Sequence, residues 1–138
     1  MLPVISWVAA QVCKTILDFS INKTFTAERL VGSGGMPSSH SSTVCALFVG
    51  AARKFGGSSP EFAITLVLAA IVMYDAMGVR LETGKQAKLL NKIIEDLRDD
   101  NEGLFHEKKL KELVGHTPLQ VMSGALLGVL IAIVIPVF

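Results

Sequence analysis

Charge is scarce in this sequence. Charged residues fill 18% of its 138 positions, below the roughly 25% usual in soluble domains. Thirteen Lys and Arg stand against twelve Asp and Glu, for a net charge of +1, and aromatics reach only 7% with one Trp and one Tyr. No basic patch is interleaved with aromatic rings, so no nucleic-acid partner is expected. Cysteine is nearly absent: Cys13 and Cys45 are too few and too isolated for a disulfide framework or a zinc motif, and they read as small buried hydrophobes. The three histidines lack ligand spacing, so neither a metal site nor a cofactor is expected. Gly32-Ser33-Gly34-Gly35 has no Lys-Ser/Thr after it, which separates it from a P-loop and leaves a loop. Met1–Asn22 has no basic n-region, and Lys14 and Asp18 interrupt its apolar run. It reads as a helix of the mature chain rather than a signal peptide.

What the chain has instead is apolar length. Hydrophobic residues make up 51%, and mean hydropathy is +0.52. At this length one domain spanning 1–138 is expected. Leu2–Ile21 is apolar with sparse polar residues. Ser38–Phe55 reads as a second helix, with Ser38 or Ser39 as its N-cap. Pro60 suits the first turn of a third helix that carries no charge from Phe62 to Tyr74 and runs to Val79. Gly84–Val114 differs in kind. It is rich in Lys, Glu and Asp, with Leu89, Leu90, Ile93, Ile94 and Leu97 at helical spacing, and Asn101-Glu102-Gly103 breaks it. That pattern predicts an amphipathic helix outside the membrane. Pro118–Phe138 has no charged residue over 21 positions, enough to cross a core of about 30 Å. The fold class expected is all-α: a small integral-membrane bundle of about four hydrophobic helices plus one charged extramembrane helix.

Four crossings sort the polar chemistry. The Asn22–Pro37 and Arg80–Thr117 connections then share one face, while Gly56–Ser59 and the C-terminus share the other. Ten Lys and Arg lie on the first side, Lys23, Arg29 and Arg80 among them, and only Arg53 and Lys54 on the second. The positive-inside rule puts the first face in the cytosol or its stromal or matrix equivalent.

Two histidines fall on that face, each at the start of an apolar helix. His40 sits in Met36-Pro37-Ser38-Ser39-His40-Ser41, and His116 in Gly115-His116-Thr117-Pro118-Leu119-Gln120-Val121 with Gly124 beyond. Helix N-termini favour phosphate because unpaired N–H groups and the helix dipole point at it. One imidazole can protonate a leaving alkoxide, and another can attack phosphorus. Lys23, Arg29 and Arg80 can neutralise phosphate oxygens or, equally, snorkel to lipid headgroups. Asp75, near the end of an apolar helix, needs a partner, with Arg80, Arg29 and His116 as candidates.

These residues resemble a known family. Met36-Pro37-Ser38-Ser39-His40 looks like the Pro-Ser-Gly-His core of type 2 phosphatidic acid phosphatases and vanadium-dependent haloperoxidases. His116-Thr117-Pro118-Leu119-Gln120-Val121 with Gly124 resembles that family's final segment, built on His-x-x-x-Asp. The similarity is closest to the small divergent membrane branch related to these enzymes, and extends through Lys14–Asp18, Tyr74–Gln86 and Gly115–Gly128. The resemblance implies His116 as nucleophile, His40 as general acid and Ser38 as phosphate ligand, with Ser39 where the family has Gly. The chain departs from the pattern in three places. Gln120 stands where the family has the carboxylate that orients the nucleophile. Five residues rather than six separate Lys23 from Arg29, and Leu30 follows where the family has Pro. Leu110, between Lys109 and Lys111, stands where the family has Arg, and Arg80 is the candidate to substitute for it in space.

The expected activity is hydrolysis of lipid phosphate or diphosphate monoesters through a His nucleophile. Ser38, Ser39, Lys23, Arg29 and Arg80 would bind the phosphate, supported by Asp75 and Gln120. The alternative is a catalytically weak membrane binding or assembly module that keeps the fold. A haloperoxidase-like oxidase is a third, more distant reading. Nothing in the sequence sets the oligomeric state.

Overall fold

The computed structural model describes residues 1–23, 35–100, 109–110, 112 and 115–136. These form five helices: α1 (Leu2–Asn22), α2 (Ser39–Phe55), α3 (Pro60–Met77), α4 (Val79–Asp100) and α5 (Pro118–Val134). No strand occurs among the described residues. The result is a small all-helical bundle of membrane type, with four apolar helices and one charged one.

The starts of α2, α3 and α5 follow from local chemistry. Ser38, Ser59 and Thr117 each have extended backbone and accept a hydrogen bond from the N–H three residues on, which satisfies one of the donors a helix start leaves unpaired. Pro60 and Pro118 occupy the first helical position, where a missing N–H costs nothing.

Two boundaries differ from the sequence reading. The final helix stops at Val134, because Ile135 precedes Pro136 and adopts extended backbone; the ring after it disfavours the helical region. At 17 residues α5 is about 25 Å long. The charged helix starts at Val79 rather than Gly84, directly after Gly78. The expected resumption of a helix over Phe105–Val114 falls largely outside the described residues, as does Arg29.

α2 is the hub, packing against α1, α3 and α5. Its contact with α5 depends on small residues. A Cβ on Gly124 would fall inside the Ser38 carbonyl oxygen, and one on Gly128 inside that of Ser42. Ser42 also meets α1: Ser6 Oγ donates to the Ser42 carbonyl at 2.9 Å, and the two hydroxyls lie 2.6 Å apart. At the far end Arg53 donates to the carbonyls of Ala132 and Ile135, satisfying acceptors that end α5.

The apolar residues point the other way. Ile64, Val67 and Ile71 of α3 are 68%, 58% and 61% exposed. Small and polar side chains fill the interior while large apolar ones cover the outside, as in bundles whose solvent is lipid. Leu2–Ile21 and the stretch from Pro60 onward are long and apolar enough to cross a bilayer.

Candidate functional site

The two histidines converge. Their ring centroids lie 6.4 Å apart, tilted 56° to one another, although 76 residues separate them in sequence. Each is set by the start of a helix.

His116 is held at three points. Its backbone N–H donates to the Ala76 carbonyl at the end of α3, 3.1 Å away. Gly115 before it lies on the backbone of Arg80 and Leu81, where a Cβ would clash. Its Nδ1 lies 3.2 Å from Gln120 Oε1. That contact determines the tautomer. Gln120 Oε1 also accepts the Thr117 N–H at 3.1 Å, while Thr117 Oγ1 accepts the Gln120 N–H, closing a capping box. A backbone N–H only donates, so the atom facing Thr117 is the amide oxygen rather than the NH2. An oxygen facing Nδ1 requires the proton on Nδ1, which leaves the Nε2 lone pair bare. Gln120 thus orients the ring as the family's carboxylate would, without its charge.

His116 is buried, at 3% exposure. Burial pushes its imidazole below the ordinary histidine value. The hydrogen bond to Gln120 acts in the opposite direction, and His40, Lys14 and Arg80 add to the lowering. The ring is therefore disposed to be neutral, the form with a free lone pair.

His40 lies in the first turn of α2 and is exposed. Ser38, Ser39, Ser41 and Ser42 around it are buried. Ser38 Oγ serves as the helix cap, accepting from Ser41 N at 3.4 Å and Ser41 Oγ at 3.0 Å. Its backbone N–H donates to the Gln120 carbonyl at 3.0 Å, joining the starts of α2 and α5. The N–H groups of Ser39 and His40 have no carbonyl one turn earlier in the helix to meet, which suits them to an anion.

The cations divide. Arg80 pairs with Asp75 through Nε and Oδ2, and its charge reaches His116. Asp75 thus takes one of its three candidate partners. Lys23 is the exposed, left-handed C-cap of α1, and its charge is not among those acting on His116. Lys14 is, and its side chain is 2% exposed within the bundle. Sequence reasoning did not place Lys14 at the site; the signal was a cation in the middle of an apolar helix, a costly position that usually marks function. Asn91 also went unremarked. Its Nδ2 donates to the Leu110 carbonyl at 2.9 Å and to Glu112 at 2.8 Å, and its Oδ1 accepts the Leu110 N–H at 2.9 Å. It clasps the chain shortly before His116 to α4. Leu110, at the family's Arg position, is therefore a backbone anchor.

Among the described residues no group of three or more His, Cys, Asp or Glu is arranged for a metal ion. The site is two imidazoles 6.4 Å apart at two helix starts, with the charges of Lys14 and Arg80 acting on both rings.

Residues 1–131 match the divergent PAP2 family, and the chain belongs to it. A relative in Bacillus subtilis (strain 168), the uncharacterized membrane protein YuiD, is 40% identical over 138 residues, covering 94% of this chain and 87% of that protein. No solved structure matches the chain.

Proposed function

We propose that this protein is an integral-membrane phosphatase of lipid phosphate or diphosphate monoesters. The observation that carries this reading is the 6.4 Å approach of His40 and His116, with the second ring held by Gln120 in the Nδ1–H form. A phosphorus about 3–3.5 Å from His116 Nε2, with its leaving oxygen about 2.6–3.2 Å from His40, spans such a gap.

His116 Nε2 attacks phosphorus in line, forming the N–P bond as the ester P–O bond breaks. His40 gives its proton to the departing alkoxide. Water then attacks the phosphohistidine, His40 takes the water proton, and the N–P bond breaks to release inorganic phosphate. Arg80, Lys14 and the N–H groups opening α2 stabilise charge on the phosphoryl oxygens. Asp75 holds Arg80. His40 is exposed and His116 buried, so the ester enters past the acid to reach the nucleophile. The excess of Lys and Arg on the His side supports a site on the cytosolic face or its equivalent.

Phosphate release from lipid phosphates by the purified chain in liposomes tests this. Turnover that disappears in His116→Ala and His40→Ala, with vanadate inhibiting the wild type, is the expected result. Equal background rates in all three proteins would sink it. A second reading rests on Gln120, whose amide cannot stabilise an imidazolium by charge: the chain is then a module that binds oxyanion headgroups without turning them over. Vanadate binding with no phosphate release would favour that reading.

A further inference from the structure

α1 and α3 pack on either side of α2 rather than closely on each other: among the described residues no Cα of one lies within 8 Å of a Cα of the other. Between them, against the later turns of α2, lies a cleft of about 480 Å3, walled by Leu2 and Ile5 of α1, Thr65 of α3, and Leu47 and Ala51 of α2. Lys54 and Glu61 line its far end.

This cleft shares a face of α2 with the site. His40, Leu47, Ala51 and Lys54 are 7, 11 and 14 residues apart from the first, which at 3.6 residues per turn places them on one stripe. His40 is the exposed member of a first turn whose four serines are buried, so the open side of the site is the side the stripe marks. Leu47 lies about 10 Å along the axis from His40 and Lys54 about 21 Å. On α1, Ala9 and Cys13 continue the line of Ile5 at i+4 and i+8 and are half-buried.

We propose that this cleft holds the alkyl chain of the same amphiphile whose phosphate meets the histidine pair. This assignment rests on the site being a phosphoryl site. Apolar walls below an exposed acid fit a headgroup that enters past His40 while its tail lies down α2. The charged pair Lys54 and Glu61 ends the apolar path, because a methylene chain gains nothing by displacing water from charged groups. The cleft selects a phosphate monoester with one long tail and uses tail contacts, remote from phosphorus, to orient the headgroup.

The test compares hexadecyl phosphate with butyl phosphate as substrates of the full chain in detergent micelles. In Leu47→Trp the ratio of kcat/KM for the long over the short ester falls about tenfold, the scale of a few lost apolar contacts. In Ile64→Trp, on the outer face of α3, the ratio keeps its wild-type value. An unaltered ratio in Leu47→Trp, or an equal fall in both variants, overturns the proposal. A second arm needs no turnover. A non-hydrolysable hexadecylphosphonate with a photoreactive group at its chain end should label the cleft walls around Leu47, Ala51 and Thr65. Excess hexadecyl phosphate should compete with it, and Leu47→Trp should weaken it. Labelling spread over the outer face of α3, or a cleft label that does not compete, assigns the space to bulk lipid and overturns the proposal. Competed cleft labelling without hydrolysis of either ester supports the cleft and removes the phosphatase reading.

Discussion

Where α5 crosses α2, Gly124 lies against Ser38 and Gly128 against Ser42; along the outside of α3, Ile64, Val67 and Ile71 stand exposed. The first region is made of the least hydrophobic residues of an apolar helix, and the second of the most hydrophobic. In water the assignment would be reversed. In lipid a large apolar side chain gains nothing by leaving its surroundings, so close backbone approach is what joins helices. The chemistry is placed at the end of the close-packed seam. Ser38 caps α2, donates its N–H to Gln120 of α5, and lies under Gly124. The histidines inherit their mutual position from that joint.

If the contrast is right, substitutions in the two regions should differ steeply. Gly124→Val is expected to have the largest effect. Its side chain would displace the Ser38 carbonyl, costing about 3 kcal/mol of stability or preventing assembly, read by thermal unfolding in detergent. Gln120→Leu comes next. It removes the acceptor of the His116 and Thr117 protons, costing about 1–2 kcal/mol of stability for the lost cap and a larger fraction of any turnover. Gln120→Glu separates the two roles: it keeps the cap, and turnover should rise if the missing charge limits the rate. Ser38→Ala should cost about 1 kcal/mol. Acid should have a smaller effect. The unfolded His116 imidazole takes its proton at about 6.5, and the folded one only at lower pH, so stability should fall as pH drops below that value. The slope should flatten in His116→Gln. Ile64→Ala should shift stability by no more than about 0.5 kcal/mol. A penalty there as large as that of Gly124→Val would mean that the outer face of α3 is packed against protein, and would break the contrast.

Much of this was visible in the residues. Pro60, Pro118, Ser38, Ser59 and Thr117 carry the chemistry of helix starts, and counting apolar runs placed both histidines on one face. The boundaries were harder. Pro136 ends α5 early, a residue-before-proline effect that an uncharged run conceals. Nothing in the composition marks Gly78 as the join between α3 and α4, since Tyr74–Arg80 still reads as a helix. Lys14 escaped because in the sequence it does no more than interrupt an apolar run together with Asp18. Asn91 escaped because nothing in the pattern of α4 shows that the backbone at Leu110 returns to that helix. Both errors have one origin: a local pattern says which face a residue occupies but not what the rest of the chain brings to that face.

The guanidinium of Arg53 has a consequence beyond closing off α5. It grips the last carbonyls of that helix, while the Ser38 amide grips the Gln120 carbonyl at the opposite end. Fastened top and bottom, the two rods cannot slide past each other lengthwise. Any breathing that admits or expels a bulky guest must come from α1 or from the Pro60 end of α3 swinging aside, because the Ala76 end of α3 holds the His116 N–H.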